Sequence, residues 1–180
     1  MNIILFGPPG AGKGTQADNI SKSFNLYKIS TGDLLRNEIY KKTSLGNKIK
    51  TIIDKGSFVP DEIINDLISK ILADKKFYNR LIFDGYPRTL SQAKNLDLLL
   101  KNSNQKIDLI FFLNVDKDTI VERVQKRKNL ENRSDDNSNT ILKRYDTYMT
   151  NTKPVLDYYS KNENFHEVDG SKEINDISQK

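Results

Sequence analysis

Gly7-Pro8-Pro9-Gly10-Ala11-Gly12-Lys13-Gly14-Thr15 follows directly on the apolar run Ile3, Ile4, Leu5, Phe6. The run predicts a short strand and the glycines a turn. Ala17, Ile20 and Phe24, at spacings of three and four, predict the apolar side of a helix that the turn opens. Residues without side chains at Gly10, Gly12 and Gly14 let the backbone curl so that successive N–H groups point into one hollow, at the positive end of that helix. Such a hollow takes an anion with several oxygens. Lys13 adds a mobile point charge that can follow a phosphate during transfer, and Thr15 adds a hydroxyl near it. The phosphate-loop pattern has Ser or Thr immediately after the Lys, whereas here Gly14 stands there and Thr15 comes one later, so direct metal binding by the hydroxyl is not implied. The bland alternative is a flexible loop between strand and helix.

Three further groups of residues carry chemistry. Of 29 basic residues only seven are Arg: Arg36, Arg80, Arg88, Arg123, Arg127, Arg133 and Arg144. A chain that uses Lys for its solvated charge places Arg where a planar, two-pronged phosphate donor is needed. Leu81-Ile82-Phe83-Asp84 predicts a buried parallel strand ending in Asp84-Gly85-Tyr86-Pro87-Arg88-Thr89. Ligands gather at the carboxyl ends of parallel strands, which sets Asp84 and Arg88 beside the phosphate loop, where an aspartate holds magnesium. A turn-forming Asp ahead of Gly85 is the structural alternative. The single histidine, His166, reads as an ordinary strand residue.

The elements that position these residues alternate. Leu26 to Ser30 predicts a second strand, and Ser30 and Asp33 stand at capping-box spacing at the start of the helix that follows. A cap does not account for Arg36, a cation on the first turns of that helix, which makes sense facing an anion. Lys41 to Phe58 reads as polar and partly helical, with Gly46 and Gly56 as breaks. Pro60 and Asp61 then begin an amphipathic helix with Ile63, Ile64, Leu67, Ile68, Ile71 and Leu72 on one stripe. Thr31 to Val59 is therefore a helical excursion from the sheet, of the kind that moves on ligand binding. Thr89 and Gln92 again stand at capping-box spacing. Asp108 to Val115 predicts a fourth strand and Asp116 to Lys128 a helix, with Ile120, Val121 and Val124 inward. Arg123 and Arg127 share its other face, which a solvated cationic surface explains equally well. Lys126 to Asn137 holds one apolar residue and reads as a surface loop. A long helix follows, with Ile141, Leu142, Tyr145, Tyr148, Met149, Val155, Leu156 and Tyr159 as its apolar side and a kink at Pro154. Phe165 to Val168 is a fifth strand, and a helix of barely two turns ends the chain. Alternation of this kind implies a parallel sheet wrapped on both faces.

At 180 residues, this reads as a single domain. No stretch approaches the roughly 18 apolar residues of a membrane span, and no basic-then-apolar leader precedes a cleavage site, so a cytoplasmic protein is expected. The absence of cysteine excludes disulfides and any thiolate zinc site. A net charge of +5 suits a polyanionic partner, but the lysines are scattered, with no basic stripe interleaved with aromatics to suggest nucleic acid.

Gly7 to Thr15, Ser30-Thr31-Gly32-Asp33 with Arg36, Asp84 to Thr89, and Arg133-Ser134-Asp135-Asp136 with Arg144, in that order, resemble the adenylate kinase family in its short-lid form. The resemblance runs from Met1 to Lys172. It implies an α/β, P-loop NTPase fold with a five-stranded parallel sheet and helices on both faces. The core would be residues 1–29, 60–125 and 138–180, with a small helical AMP-binding insertion over 30–59 and a short lid over 126–137. By resemblance, Gly10, Ala11, Gly12, Lys13, Gly14 and Thr15 cradle the ATP phosphates, with Arg123, Arg127 and Lys172 also at the ATP end. Thr31, Arg36, Ser57, Phe58, Val59, Gly85, Tyr86, Pro87, Arg88 and Gln92 match the AMP site, where Arg36 and Arg88 grip the phosphate and the 57–59 backbone with Gln92 reads adenine. Arg133 and Arg144 match arginines at the transferring group, so that Lys13, Arg88, Arg127, Arg133 and Arg144 form the catalytic set. Asp84 anchors Mg²⁺ through water, and zinc has no role. Arg80 alone is left as a plain surface charge. The implied activity is transfer of the terminal phosphate of ATP to AMP, giving two ADP, in adenine nucleotide homeostasis and purine salvage, by a monomer without nucleic-acid or membrane partners. A UMP/CMP kinase is the nearest rival, in which Ala commonly replaces Thr31 and Asn replaces Thr89. A nucleotide-gated switch is a rival of another class; its guanine motif Asn-Lys-x-Asp is missing its Asp at Asn47-Lys48-Ile49-Lys50.

Overall fold

The computed structural model describes the backbone of residues 1–131 and 138–178, and the side chains of those residues outside 127–139. Five strands, β1 (Asn2–Phe6), β2 (Tyr27–Ser30), β3 (Leu81–Asp84), β4 (Leu109–Asn114) and β5 (Phe165–Asp169), form one sheet in the order β2-β3-β1-β4-β5. Every pairing is parallel, with Leu5 opposite Asp84 and Ser30 opposite Asp84 in register. The expected five-stranded parallel sheet is therefore present. The chain leaves β1 toward β2 and leaves β4 toward β5, in opposite directions. A crevice opens between those two departures at the carboxyl ends of the strands, where ligands bind in sheets of this kind.

All five residues of β1 are buried because both faces of the strand are covered. Successive side chains point to opposite faces, and the core divides accordingly. Ile3 and Leu5 pack with Ala17 and Ile82 beneath α1 (Lys13–Phe24). Ile4 and Phe6 join the larger cluster with Leu81, Phe83, Leu96, Ile110, Val155 and Tyr159. That cluster is roofed by α4 (Asp61–Leu72), α5 (Leu90–Asn102) and α8 (Lys153–Tyr159). Ile64 and Ile68 are the buried centre of the predicted α4 stripe, with Ile63, Leu67, Ile71 and Leu72 packed around them. The other end of α1 gives a correction: Phe24, expected inward, is 62% exposed, because the helix ends there in a left-handed Asn25. The terminal helix α9 (Ile174–Ser178) docks on α1, where Gln16 Nε2 donates to Ile174 O at 3.0 Å and Ser178 Oγ to Gln16 Oε1 at 2.8 Å.

The excursion contains α2 (Thr31–Tyr40) and α3 (Ser44–Asp54). Gly46, expected as a break, lies inside α3; the chain is interrupted instead between α2 and α3, with Lys42 at φ 52°, and again at Gly56, at φ 70°. Gly46 is small because α3 starts against the end of α2: a Cβ there would stand 2.1 Å from Glu38 O and 2.8 Å from Ile39 N. Both obstacles are backbone and cannot rotate away. Gly46→Ala is therefore expected to destabilise the fold by about 2–3 kcal/mol through overpacking, read as a lower urea midpoint at unchanged slope.

Two corrections concern the second half. The helix after β4, α6 (Lys117–Glu131), runs into the stretch expected as a loop from Lys126. Polarity forbids burial but not helicity. Once Ile120 and Val124 are packed, further turns of Lys, Arg, Leu and Glu cost no new nucleation, and Lys126 Nζ bridges to Glu122 Oε1 at 2.6 Å. The expected lid residues 132–137 lie outside the described residues. The long kinked helix is instead two helices, α7 (Ser138–Asn151) and α8, broken at Thr152 rather than bent at Pro154. Pro154 sits in the first turn of α8, where its missing N–H costs nothing, and the buried Thr152 turns its hydroxyl to Arg88 O at 3.0 Å. Leu142 and Met149, expected inward, are 40% and 39% exposed, because the face that α7 buries runs through their neighbours Ile141 and Tyr148.

Candidate active site

Residues 7–12 connect β1 to α1 in a loop that curls about the Lys13 side chain. Gly10 and Gly12 adopt φ of 87° and 89°, open to glycine and strained for other residues, and Ala11 N donates to Pro8 O at 3.1 Å to close the turn. A side chain at Gly10 would also meet Val124 Cγ2 at 2.8 Å, so α6 fixes that position from behind. Lys13 Nζ donates to Gly7 O at 2.7 Å and Pro8 O at 2.9 Å. The ammonium is thereby held over the loop, at the N-terminus of α1. Gly14 lies in the first turn of α1 facing β3: a Cβ there would be 3.7 Å from Asp84 Oδ2. Thr15 is exposed in the same turn.

Across the cleft, the turn after β3 is built around one carbonyl. Gly85 O accepts from Thr31 Oγ1 and from Arg88 Nε, both at 2.7 Å, which locks the start of α2 to the Arg88 side chain. The Arg88 guanidinium carbon lies 5.3 Å from the Phe58 ring centroid. Its backbone N–H donates to Gln92 Oε1 at 2.7 Å. The Thr89–Gln92 capping box is thus half formed: Thr89 Oγ1 accepts from Gln92 N at 3.2 Å, but the Gln92 carboxamide is engaged elsewhere. Ser30 and Asp33 behave alike. Ser30 Oγ accepts from Asp33 N at 3.2 Å, while the Asp33 carboxylate turns to Arg36. Burial pushes the Asp33 carboxyl up, but the Arg36 guanidinium, aided by Ser30 and Lys28, outweighs it and holds the pKa below its usual value. The stabilisation from this pairing is present above the ordinary carboxylate pKa and is lost as pH falls through the lowered one.

Lys13, Thr31, Arg36, Ser57, Phe58, Val59, Gly85, Pro87, Arg88, Gln92 and Arg144 line one cleft at the carboxyl ends of the strands. Four cations from α1, α2, the turn after β3 and α7 thus share one concavity with apolar walls from Leu35, Ile53, Ile64 and Tyr148. Sequence reading did not assign these four apolar residues, because each reads as core. Tyr86, grouped with the AMP residues by resemblance, has its ring buried 6.2 Å from Phe83, and burial raises its pKa to about 12.

Arg123 stands apart from the cleft. Its guanidinium donates to Gly170 O at 2.7 Å, Ser171 O at 3.1 Å and Lys172 O at 3.3 Å, so one arginine gathers the turn between β5 and α9 that carries Lys172. The Arg127 side chain and all of Arg133 lie outside the described residues. Arg80, expected as a plain surface charge, caps α1 by donating from Nη2 to Asn25 O at 2.9 Å and stacks 5.0 Å from the Tyr27 ring centroid. His166 sits exposed on β5, 5.7 Å from the Phe111 ring. Among the described residues, no helix is long and apolar enough to cross a membrane.

Proteins of known family resemble this chain in sequence. A family model described as adenylate kinase matches residues 5–164. The adenylate kinase of Pelagibacter ubique is 47% identical, with 100% of this chain and 97% of the relative covered. Those of Archaeoglobus fulgidus and Fusobacterium nucleatum are 38% and 39% identical over at least 98% of this chain and at least 94% of each relative. A glycine-rich loop curled about a lysine, an aspartate at the neighbouring strand end and arginines on a common cleft thus occur in a chain that matches these enzymes nearly end to end, and the chain belongs to the adenylate kinase family of phosphotransferases.

Proposed function

We propose that the protein transfers the terminal phosphate of ATP reversibly to AMP, giving two ADP, and so serves adenine nucleotide homeostasis and salvage as a cytoplasmic monomer. The observation that carries this reading is the convergence of Lys13, Arg36, Arg88 and Arg144 on one cleft at the tips of the parallel strands. The loop from Gly10 to Thr15 cradles the ATP phosphates, with Arg123, Arg127 and Lys172 toward the ATP base. Arg36 and Arg88 hold the AMP phosphate, and Thr31, the 57–59 backbone, residues 85–87 and Gln92 form the rest of its pocket. Arg133 and Arg144 meet the transferring group from the lid side.

The acceptor is a phosphate oxygen that is already anionic, so it requires little from a base. Rate enhancement therefore comes from alignment and from cancelling the repulsion between two polyanions. Lys13 and the arginines do this with fixed positive charge, and the backbone N–H groups at the start of α1 add to it. Asp84 is a single carboxylate at a strand end facing the first turn of α1, which fits a magnesium ion carried on the nucleotide and held through water. That ion supplies further neutralisation of the phosphate oxygens. The helical excursion over 30–59 and the lid over 126–137 close on the bound pair and exclude water as a competing acceptor.

The test is direct. The protein mixed with ATP, AMP and Mg²⁺ is expected to form ADP, and a panel of AMP, UMP, CMP and GMP is expected to show AMP as the preferred acceptor. No ADP, or preference for a pyrimidine monophosphate, would overturn the reading.

A further inference from the structure

Asp61, the first residue of α4, accepts two short hydrogen bonds from the segment that starts α5: Thr89 Oγ1 donates to Oδ2 and Gln92 Nε2 to Oδ1, both at 2.7 Å. The other end of the Gln92 carboxamide accepts from Arg88 N at 2.7 Å. A carboxylate only accepts and a backbone N–H only donates, so the two partners admit a single orientation of this amide. In the flipped orientation its oxygen would face the Asp61 carboxylate and its NH₂ the Arg88 N–H. Both contacts would be repulsive, in a residue only 2% exposed where water cannot make good the loss. With these bonds made, Gln92 retains one N–H on Nε2 and one lone pair on Oε1, and it lines the cleft.

A fixed acceptor beside a fixed donor matches the edge of a 6-aminopurine, whose amino group donates to Oε1 while ring N1 accepts from Nε2. A 6-oxopurine presents the reverse pattern, with an oxygen in place of the amino group and N1 carrying a proton. A carboxamide free to rotate would serve either base. We propose that Asp61 is a specificity-determining positioning residue, which holds Gln92 in the orientation that reads 6-aminopurines and turns away 6-oxopurines. This rests on the reading of the cleft as the monophosphate site.

The test compares kcat/KM for AMP with that for inosine monophosphate, with ATP as donor. Because a buried polar group that loses its complement discriminates strongly, the wild-type protein is expected to favour AMP by about 100-fold or more. In Asp61→Asn the new side chain can donate as well as accept, which removes one of the two contacts that oppose turning Gln92 over and leaves only the Arg88 N–H, so the ratio is expected to fall by roughly tenfold with KM for ATP unchanged. Asp61→Glu keeps an acceptor-only group and is expected to retain the preference. A merely structural Asp61 would depress both acceptors together, and an unchanged ratio in D61N would overturn the proposal. Should D61N fail to fold, a wild-type ratio near one overturns it alone. Failure of the wild-type protein to form ADP from ATP and AMP would strike the functional reading instead.

Discussion

Lys13→Met is expected to lower the rate of ADP formation from ATP and AMP by about a thousandfold, equivalent to about 4 kcal/mol of lost transition-state stabilisation. The ammonium is held by Gly7 O and Pro8 O, at the positive end of α1, where a transferring phosphate can exchange for a carbonyl without rearranging the loop. Methionine keeps the stem and removes the charge. The fold is expected to survive because the Lys13 side chain is only half-buried, at the edge of the cleft. Thermal unfolding within a few degrees of wild type, alongside single-turnover rates, separates this outcome from simple unfolding. Lys13→Arg is not expected to rescue, because a planar fork cannot occupy a curl that grips a point charge between two carbonyls.

Arg88→Lys is expected to slow turnover by about 100-fold, the usual cost of removing one oriented donor from a transferring group. Arg88 is held by its Nε on Gly85 O and by the Phe58 face, and its two terminal nitrogens form a planar fork. Lysine retains the charge but can make neither the anchoring bond at that geometry nor a two-pronged contact. The KM for AMP is expected to rise while that for ATP stays near wild type, as measured by steady-state kinetics with each substrate varied. Arg80→Lys is the matched control: Arg80 caps α1 at Asn25 and stacks on Tyr27, so this change is expected to leave turnover unaltered.

The sheet was legible because unbroken apolar runs such as Ile3–Phe6 and Leu81–Phe83, too short for helices and followed by glycine turns, fit strands covered on both faces, and their alternation with helices left one topology class. The phosphate loop was legible because strand, glycine turn and helix came in the required order. What was not legible depended on partners distant in sequence. Gly46 reads as a helix breaker until the backbone of Glu38 is seen pressed against it. Thr89 and Gln92 carry the spacing of a capping box, yet the Gln92 oxygen that would have closed it accepts from Arg88 N, and Asp61, 31 residues before Gln92, holds the amide that way round. Arg80 resembled a leftover charge because its acceptor, Asn25 O, is a backbone atom that no motif announces. The extension of α6 through Glu131 escaped for a different reason: polarity was read as loop, although it bears on burial and not on helix propensity.

The central claim is that two nucleotides meet end to end in the cleft shared by Lys13, Arg36, Arg88 and Arg144. Calorimetric titration with two adenosines joined through five phosphates tests it most directly. The account predicts that one such molecule binds per chain, displaces both ATP and AMP, and binds at least tenfold more weakly to Lys13→Met and to Arg88→Lys. Displacement of only one nucleotide, or undiminished binding to both variants, would contradict it.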